Sequence, residues 1–225
     1  MTAAAVIFDL DGVLLDSEAL QYKAYSEVLA RFGISVSVEE YAKHWIAAGH
    51  GPEYAVRTYG LQMHPDELRD LKNPVYHSIL RHDAALMPGA EATLSRLQPH
   101  FPLAVATNSN RQDVSFVLDH FHLRRFFTTV VSREDYRRAK PQPDAFATAA
   151  ARLDVAPEAC VVVEDSYRGV VAAHRAGAVV VAIPNRFTCG GDFSLAELVL
   201  PNLDALAVDV VRGLMTQREL SLVRK

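Results

Sequence analysis

Sulfur is scarce in this chain. Cys160 and Cys189 are the only cysteines among 225 residues, and neither a disulfide framework nor a thiolate zinc site is suggested by two thiols so placed. Long apolar runs are missing too. None approaches the roughly 20 residues of a membrane span, and the first apolar stretch is broken by Asp9 and Asp11, which is not a secretory pattern. The expected setting is therefore a soluble protein of the reducing cytoplasm. Positive charge is in short supply, with 23 Lys and Arg against 27 Asp and Glu and a formal net charge of −4. That balance argues against nucleic acid or an anionic membrane as partner. The short pairs Arg124-Arg125 and Arg137-Arg138 read as solvated faces. No internal repeat or low-complexity stretch occurs, and nothing signals an oligomeric state. What the chain does have is apolar material: half of its residues are hydrophobic, enough for a sizeable core in one domain plus an insertion.

The densest information lies in Phe8-Asp9-Leu10-Asp11-Gly12-Val13-Leu14-Leu15-Asp16-Ser17. The apolar run from Ala3 to Phe8 reads as a short strand buried on both faces of a parallel sheet, and two carboxylates emerge one residue apart at its end. Ligands of open parallel sheets bind beyond the carboxyl ends of the strands. Two unpaired carboxylates buried there are costly, so a cation or a proton has to offset them.

Alone, Asp-x-Asp reads as a solvated turn. Three further segments change that reading. Leu103-Ala104-Val105-Ala106 is a second strand-like run, and it ends in Thr107-Asn108, which offers a hydroxyl, an amide and the N–H groups of a following helix start to an anion. Lys140, in Lys140-Pro141-Gln142-Pro143-Asp144, is a fixed cation just before a helix start that the prolines and Asp144 favour. Cys160-Val161-Val162-Val163 then runs into Glu164-Asp165-Ser166, a second acidic pair at a strand end. Acid pair, hydroxyl, lysine and acid pair, all at strand ends, are what phosphoryl transfer with a hard metal needs.

The organisation along the chain is a strand, a helical block, then alternating strands and helices. Ser17 is a plausible N-cap for a helix whose stripe runs Leu20, Ala24, Tyr25, Val28, Leu29 and Phe32 and which should stop at Gly33. Ser37 and Glu40 form a capping box for a second helix through Trp45 and Ile46. Pro52 and Gly60 bracket a third; Pro65 opens a fourth, in which Pro74 should cause a kink or a break. No strand pattern appears between Asp16 and Pro88. Beyond Gly89 the pattern predicts helices near 90–98, 111–121, 143–153 and 168–176, and strands near 101–107, 127–132, 160–164 and 178–183. Asn110 and Gly177 read as helix caps. Such alternation implies an α/β fold: a three-layer, Rossmann-like parallel-sheet core with an inserted helical cap domain. The expected domains are a core of residues 1–16 and 89–225 and a cap of residues 17–88.

The order of these motifs resembles the haloacid dehalogenase superfamily, in its helical-cap branch of phosphatases and β-phosphoglucomutase-like enzymes. Asp9-Leu10-Asp11-Gly12-Val13 matches its first motif, Thr107-Asn108 the second, Lys140-Pro141 the third, and Glu164-Asp165-Ser166 with Gly169 the fourth. Arg186 to Phe193 and Leu198-Val199-Leu200 look like its closing loop and last strand. The resemblance implies that Asp9 is the nucleophile and Asp11 the general acid and base. It further implies a Mg²⁺ ion held by Asp9, the backbone carbonyl of Asp11 and Asp165, with Glu164 acting through water. Thr107, the N–H of Asn108 and Lys140 would neutralise the phosphoryl oxygens of a small phosphorylated metabolite, expected to be a sugar phosphate.

The cap loop Ala47 to Pro52, with Gly49 and His50, should face the catalytic pocket on the same grounds. Mutases resembling this chain carry a Lys just before the glycine, an Arg shortly after it, and a His where Gln21 stands. Here the first two places hold Ala48 and Pro52, so a phosphatase is favoured over a phosphomutase. His50 is either a substitute contact or an ordinary loop residue, and Trp45 either cap core or a shield of the site. Four other classes fit less well. A hydrolytic dehalogenase lacks the second Asp, and a glycosyltransferase Asp-x-Asp leaves Lys140 and Glu164-Asp165 without purpose. A dinucleotide enzyme wants Gly-x-Gly-x-x-Gly after its first strand, and a non-catalytic binding protein has no use for every charged motif residue.

Overall fold

The computed structural model describes residues 4–223, with side chains described to residue 220; the start of the expected apolar run, Ala3, lies outside the described residues. Six parallel strands form one sheet: β1 (Ala5–Phe8), β2 (Leu103–Ala106), β3 (Thr129–Val131), β4 (Cys160–Glu164), β5 (Val179–Ala182) and β6 (Leu198–Val199), in the order β3-β2-β1-β4-β5-β6. The central strands are short, valine- and alanine-rich and buried throughout, as a sheet covered on both faces requires. Phe8 is in register with Val105 on one side and Val163 on the other, so the ends of β1, β2 and β4 fall within one residue of each other.

The flanking helices are α5 (Ala90–Leu97), α6 (Arg111–His120), α7 (Asp144–Arg152), α8 (Tyr167–Ala176) and α9 (Val208–Val223). Alternate strand residues Ala5, Ile7, Ala104, Ala106, Val162 and Val180 share one face and form a single apolar cluster with Ala145, Phe146, Ala149 and Ala150 of α7 and Val170, Ala172 and Ala173 of α8. The small side chains of both layers let these helices approach closely. Each buried Ile, Val or Phe contributes about 1.5–3 kcal/mol, so this face anchors the strand ends that carry the polar residues.

The caps of this unit follow the expected chemistry. Asn110 Oδ1 accepts from the N–H of Asp113 at 2.9 Å, and Gly177 closes α8 at φ 88°. Observed element ends fall within two residues of the predicted ones. Helix α9 follows no cap or stripe that the sequence displays.

The chain divides into two compact units. One holds the stretch up to Leu15, Leu86–Pro184 and the stretch from Asp192 on; the other holds Asp16–Ala85 and Asn185–Gly191. The second unit is helical: α1 (Ser17–Ala30), α2 (Val38–Glu40), a π-type turn Tyr41–Ala47, α3 (Pro52–Thr58) and α4 (Pro65–Asp83). Four local expectations need correction here. Asp16, not Ser17, occupies the N-cap of α1: its N–H is bound by Ala85 O at 2.9 Å and its backbone is non-helical, while Ser17 is already helical and buried. Phe32 is no part of the buried stripe, because α1 ends at Ala30 and Phe32 in the following turn is 44% exposed. Ser37 does cap Glu40 N at 3.1 Å, but the helix it opens widens within one turn, and Ala48 N reaches back to Lys43 O in the i→i+5 manner. Pro74 lies inside α4 without breaking it.

An aromatic cluster fills this unit. Trp45 is buried against Tyr25, with centroids 4.7 Å apart, and against Tyr41 at 5.2 Å, which makes it core. Phe187, from the late loop, packs edge-on to Tyr41.

Candidate active site

Three strand ends, those of β1, β2 and β4, deliver most of the polar groups; Lys140, expected at a strand end, comes instead from the loop before α7, well beyond the end of β3. Asp9 directly follows β1, and its N–H prolongs the ladder to Val163 O at 3.0 Å, so its side chain starts from backbone as rigid as the sheet. Gly12, two residues past Phe8-Asp9-Leu10, adopts φ 77°, a left-handed turn that favours glycine. Thr107 is pinned at the end of β2 by its N–H to Val131 O at 3.0 Å. Glu164 ends β4, and Asp165 follows it.

Asp9, Lys140, Glu164 and Asp165 are brought together and buried. Lys140 Nζ donates to Asp9 Oδ1 at 2.6 Å and to Glu164 Oε1 at 2.7 Å, and lies 4.4 Å from the centre of the Phe146 ring. Glu164 Oε2 accepts from Asp165 N (3.0 Å), Ser166 N (3.1 Å) and Ser166 Oγ (3.0 Å), which seats the carboxylate on the N-terminus of α8, where the helix dipole favours it. Gly169 makes this possible: a Cβ there would come within 1.8 Å of the Glu164 carboxyl group.

Asp9, Glu164 and Asp165 each offer an oxygen, and these atoms lie within 4.8 Å of one another, close enough to hold one cation. Lys140 sets one positive charge against three carboxylates. Asp9 holds its proton more tightly than an ordinary aspartate does. Burial pushes its carboxyl up to about 8; Lys140 pulls the other way, and Glu164 and Asp11 add to the rise. Burial disfavours the Lys140 ammonium, but Asp9 and Glu164 outweigh it and hold Lys140 above the ordinary lysine range. A hard divalent cation among these oxygens fits that excess of negative charge.

Lys140 is also held through its backbone. Its N–H donates to Asn108 Oδ1 at 3.1 Å, and its carbonyl accepts from Arg168 Nη2 at 2.7 Å. Asn108 Oδ1 and Thr107 O both lie within hydrogen-bonding reach of the Tyr136 hydroxyl, at 2.7 and 2.8 Å. Before Lys140, Arg138 binds Asp144 through its N–H and guanidinium, which fixes the loop to the start of α7 and holds Asp144 below the usual carboxylate range.

Asp11 stands apart from the Lys140 cluster. Its Oδ2 accepts from Thr107 Oγ1 at 3.0 Å and from Ser109 Oγ at 2.6 Å. Sequence reasoning missed Ser109, Tyr136 and Arg168. For Ser109 a signal existed, a second hydroxyl two residues after Thr107; for the other two none did. The remaining candidates belong to the helical unit. Gln21 on α1 accepts from Lys72 Nζ at 2.7 Å, and Gly49 and His50 form an exposed turn after the π-type segment, with Gly49 at φ 69°. Neither cysteine joins the site: Cys160 is buried in β4, which pushes its thiol up to about 12, and Cys189 is exposed in the late loop.

Comparison with known proteins shows the family. The family model described as haloacid dehalogenase-like hydrolase matches residues 6–183. The chain is 32% identical over 187 residues to the putative phosphatase YhcW of Bacillus subtilis, covering 82% of this chain and 84% of that protein. It is 31% identical to the fructose-1-phosphate phosphatase YqaB of Escherichia coli, covering 77% and 93%. Among solved structures, an Asp-to-Asn mutant of CbbY from Rhodobacter sphaeroides, in complex with xylulose-1,5-bisphosphate, superposes with a TM-score of 0.76 at 26% identity, covering 94% of this chain and 99% of that one. The chain belongs to the haloacid dehalogenase-like hydrolases.

Proposed function

We propose that this protein is a Mg²⁺-dependent phosphatase of a small phosphorylated metabolite, a sugar phosphate, acting through an aspartyl-phosphate on Asp9. The observation that carries the reading is the buried cluster of Asp9, Glu164 and Asp165 around Lys140, with a second carboxylate, Asp11, two residues from the first. The sugar rests on the relatives: one is named a fructose-1-phosphate phosphatase, and a structural neighbour binds xylulose-1,5-bisphosphate.

A carboxylate of Asp9 attacks phosphorus in line; the Asp9–phosphorus bond forms as the ester bond breaks. Asp11 gives its proton to the departing alkoxide. It then takes a proton from the water that attacks the aspartyl-phosphate, and inorganic phosphate leaves as the Asp9 carboxylate is restored. Lys140, the Thr107 hydroxyl and the Asn108 N–H meet the phosphoryl oxygens as charge moves. Asp9, the backbone carbonyl of Asp11 and Asp165 would hold Mg²⁺, and Glu164, whose carboxylate already has four donors, would act through water. Bound there, Mg²⁺ supplies charge neutralisation for the phosphoryl group and for the carboxylate that attacks it.

A phosphomutase is the second reading, since the family branch contains such enzymes. A mutase has to hold the second phosphate of its bisphosphate intermediate, and Ala48 and Pro52 bring no charge to the loop that would do so. The test is phosphate release across a panel of sugar phosphates with Mg²⁺ and with chelator, together with isomerisation of a hexose 1-phosphate in the presence of its 1,6-bisphosphate. Release that requires Mg²⁺ and outruns isomerisation is expected. Isomerisation greatly outrunning release makes the chain a mutase; no turnover of any kind on the panel refutes both.

A further inference from the structure

The hydroxyl pair on Asp11 forms a closed ring. Thr107 Oγ1 and Ser109 Oγ both donate to Asp11 Oδ2, and the Ser109 N–H donates to Thr107 Oγ1 at 3.0 Å. The ring is tied to the sheet through Thr107 N and Val131 O, and on its far side Ser109 O accepts from Arg133 N at 3.0 Å. Asp11, by contrast, sits in a turn beyond the strand, beside the left-handed Gly12. Its side chain thus takes its direction from two hydroxyls in the loop that follows β2, and both bind the same oxygen. That leaves Oδ1 to carry the proton.

The two hydroxyls are not equivalent. The reading of the site above has Thr107 turning to a phosphoryl oxygen when substrate is present, and its hydroxyl has one hydrogen. Ser109, whose bond to Asp11 is the shorter of the two, then keeps Asp11 oriented. We propose that Ser109 is a positioning residue for the general acid and base: it holds Asp11 Oδ2 so that Oδ1 faces the leaving-group oxygen during the step in which Thr107 is engaged elsewhere. This inference rests on the proposed role of Asp11.

Single-turnover transfer to Asp9 tests it, with an alkyl phosphate, whose leaving group needs a proton, and with p-nitrophenyl phosphate, whose leaving group does not. Ser109→Ala should slow transfer from the alkyl phosphate about tenfold, the scale of one lost hydrogen bond to a charged group. Transfer from p-nitrophenyl phosphate, the KM and the Mg²⁺ concentration for half-activity should stay near wild type. Ser109→Thr, which keeps the hydroxyl, should restore the rate. In an Asp11→Asn background Ser109→Ala should cost nothing further, because the two act through one another. Equal loss on both substrates, no recovery in Ser109→Thr, or full loss in the Asp11→Asn background each overturns the proposal. The underlying reading fails separately: if Asp11→Asn alone transfers from the alkyl phosphate at the wild-type rate, Asp11 is not the acid. If Asp11→Asn is severely slowed and Ser109→Ala is not, only the role of Ser109 falls.

Discussion

The sheet-bearing unit and the helical unit each bury a lysine, and they surround it differently. Lys140 lies between two carboxylates at strand ends, Asp9 and Glu164, with a third, Asp165, beside them. Lys72 donates to the neutral amide of Gln21 and lies 5.3 and 4.8 Å from the centres of the Tyr25 and Tyr76 rings. Ring faces and an amide carbonyl stabilise a cation moderately. Carboxylates gathered around a cation in excess create a site that calls for a second, divalent one. The sheet-bearing unit thus gathers buried carboxylates around its lysine, and the helical unit sets its lysine against aromatic rings.

That contrast orders the expected effects. Asp9→Asn should reduce turnover to background with the fold intact, since it removes the proposed nucleophile from a strand tip and nothing from the apolar core. Asp11→Asn should cost roughly 10²- to 10⁴-fold, the range of general acid–base catalysis; steady-state kinetics on the same substrate separates the two. Lys140→Ala should cost about 10²- to 10³-fold, the loss of one pre-placed charge on the transferring group. A variant within twofold of wild type would break the comparison at its strongest point. Gln21→Ala in the helical unit should change KM by a few-fold and kcat less. A loss as large as that of Lys140→Ala would erase the distinction between the units.

A smaller effect appears in stability. The Asp9 carboxyl is raised from 3.8 to about 8 in the metal-free protein, chiefly by burial. The folded state therefore binds this proton more tightly than the unfolded chain, and the group's contribution to stability is lost as pH rises from about 4 to about 8. Mg²⁺ favours the ionised carboxylate, so the rise in melting temperature on adding Mg²⁺ should be larger at pH 8 than at pH 6. A rise that is equal at both pH values, or larger at pH 6, contradicts a Mg²⁺ site on Asp9.

The same division governs how much the sequence revealed. Strand ends are legible because a run such as Val161-Val162-Val163 is short, β-branched and wholly apolar and stops abruptly at charged residues, and the first polar residue after it is placed by backbone geometry alone. Asp9, Thr107, Glu164 and Asp165 could all be read in that way. Lys140 needed the ordered company of the others. Arg168 and Tyr136 act through carbonyl oxygens and an amide that only tertiary folding brings near, so no spacing announces them. In the helical unit, Trp45 packs between Tyr25 and Tyr41, contacts that no local spacing announces. The segment that carries it is wider than the regular helix that Ser37 and Glu40 predicted, and Phe187, from a loop more than a hundred residues later in the chain, packs against Tyr41.

The central claim is that the strand-tip carboxylate of Asp9 itself carries the phosphoryl group. Protein quenched in acid during turnover with Mg²⁺ should gain the mass of one phosphoryl group, located by peptide mapping on Asp9 and absent from Asp9→Asn. A quenched enzyme that turns over substrate yet carries no phosphoryl group on Asp9 at any quench time, or carries one on another residue, would contradict the account.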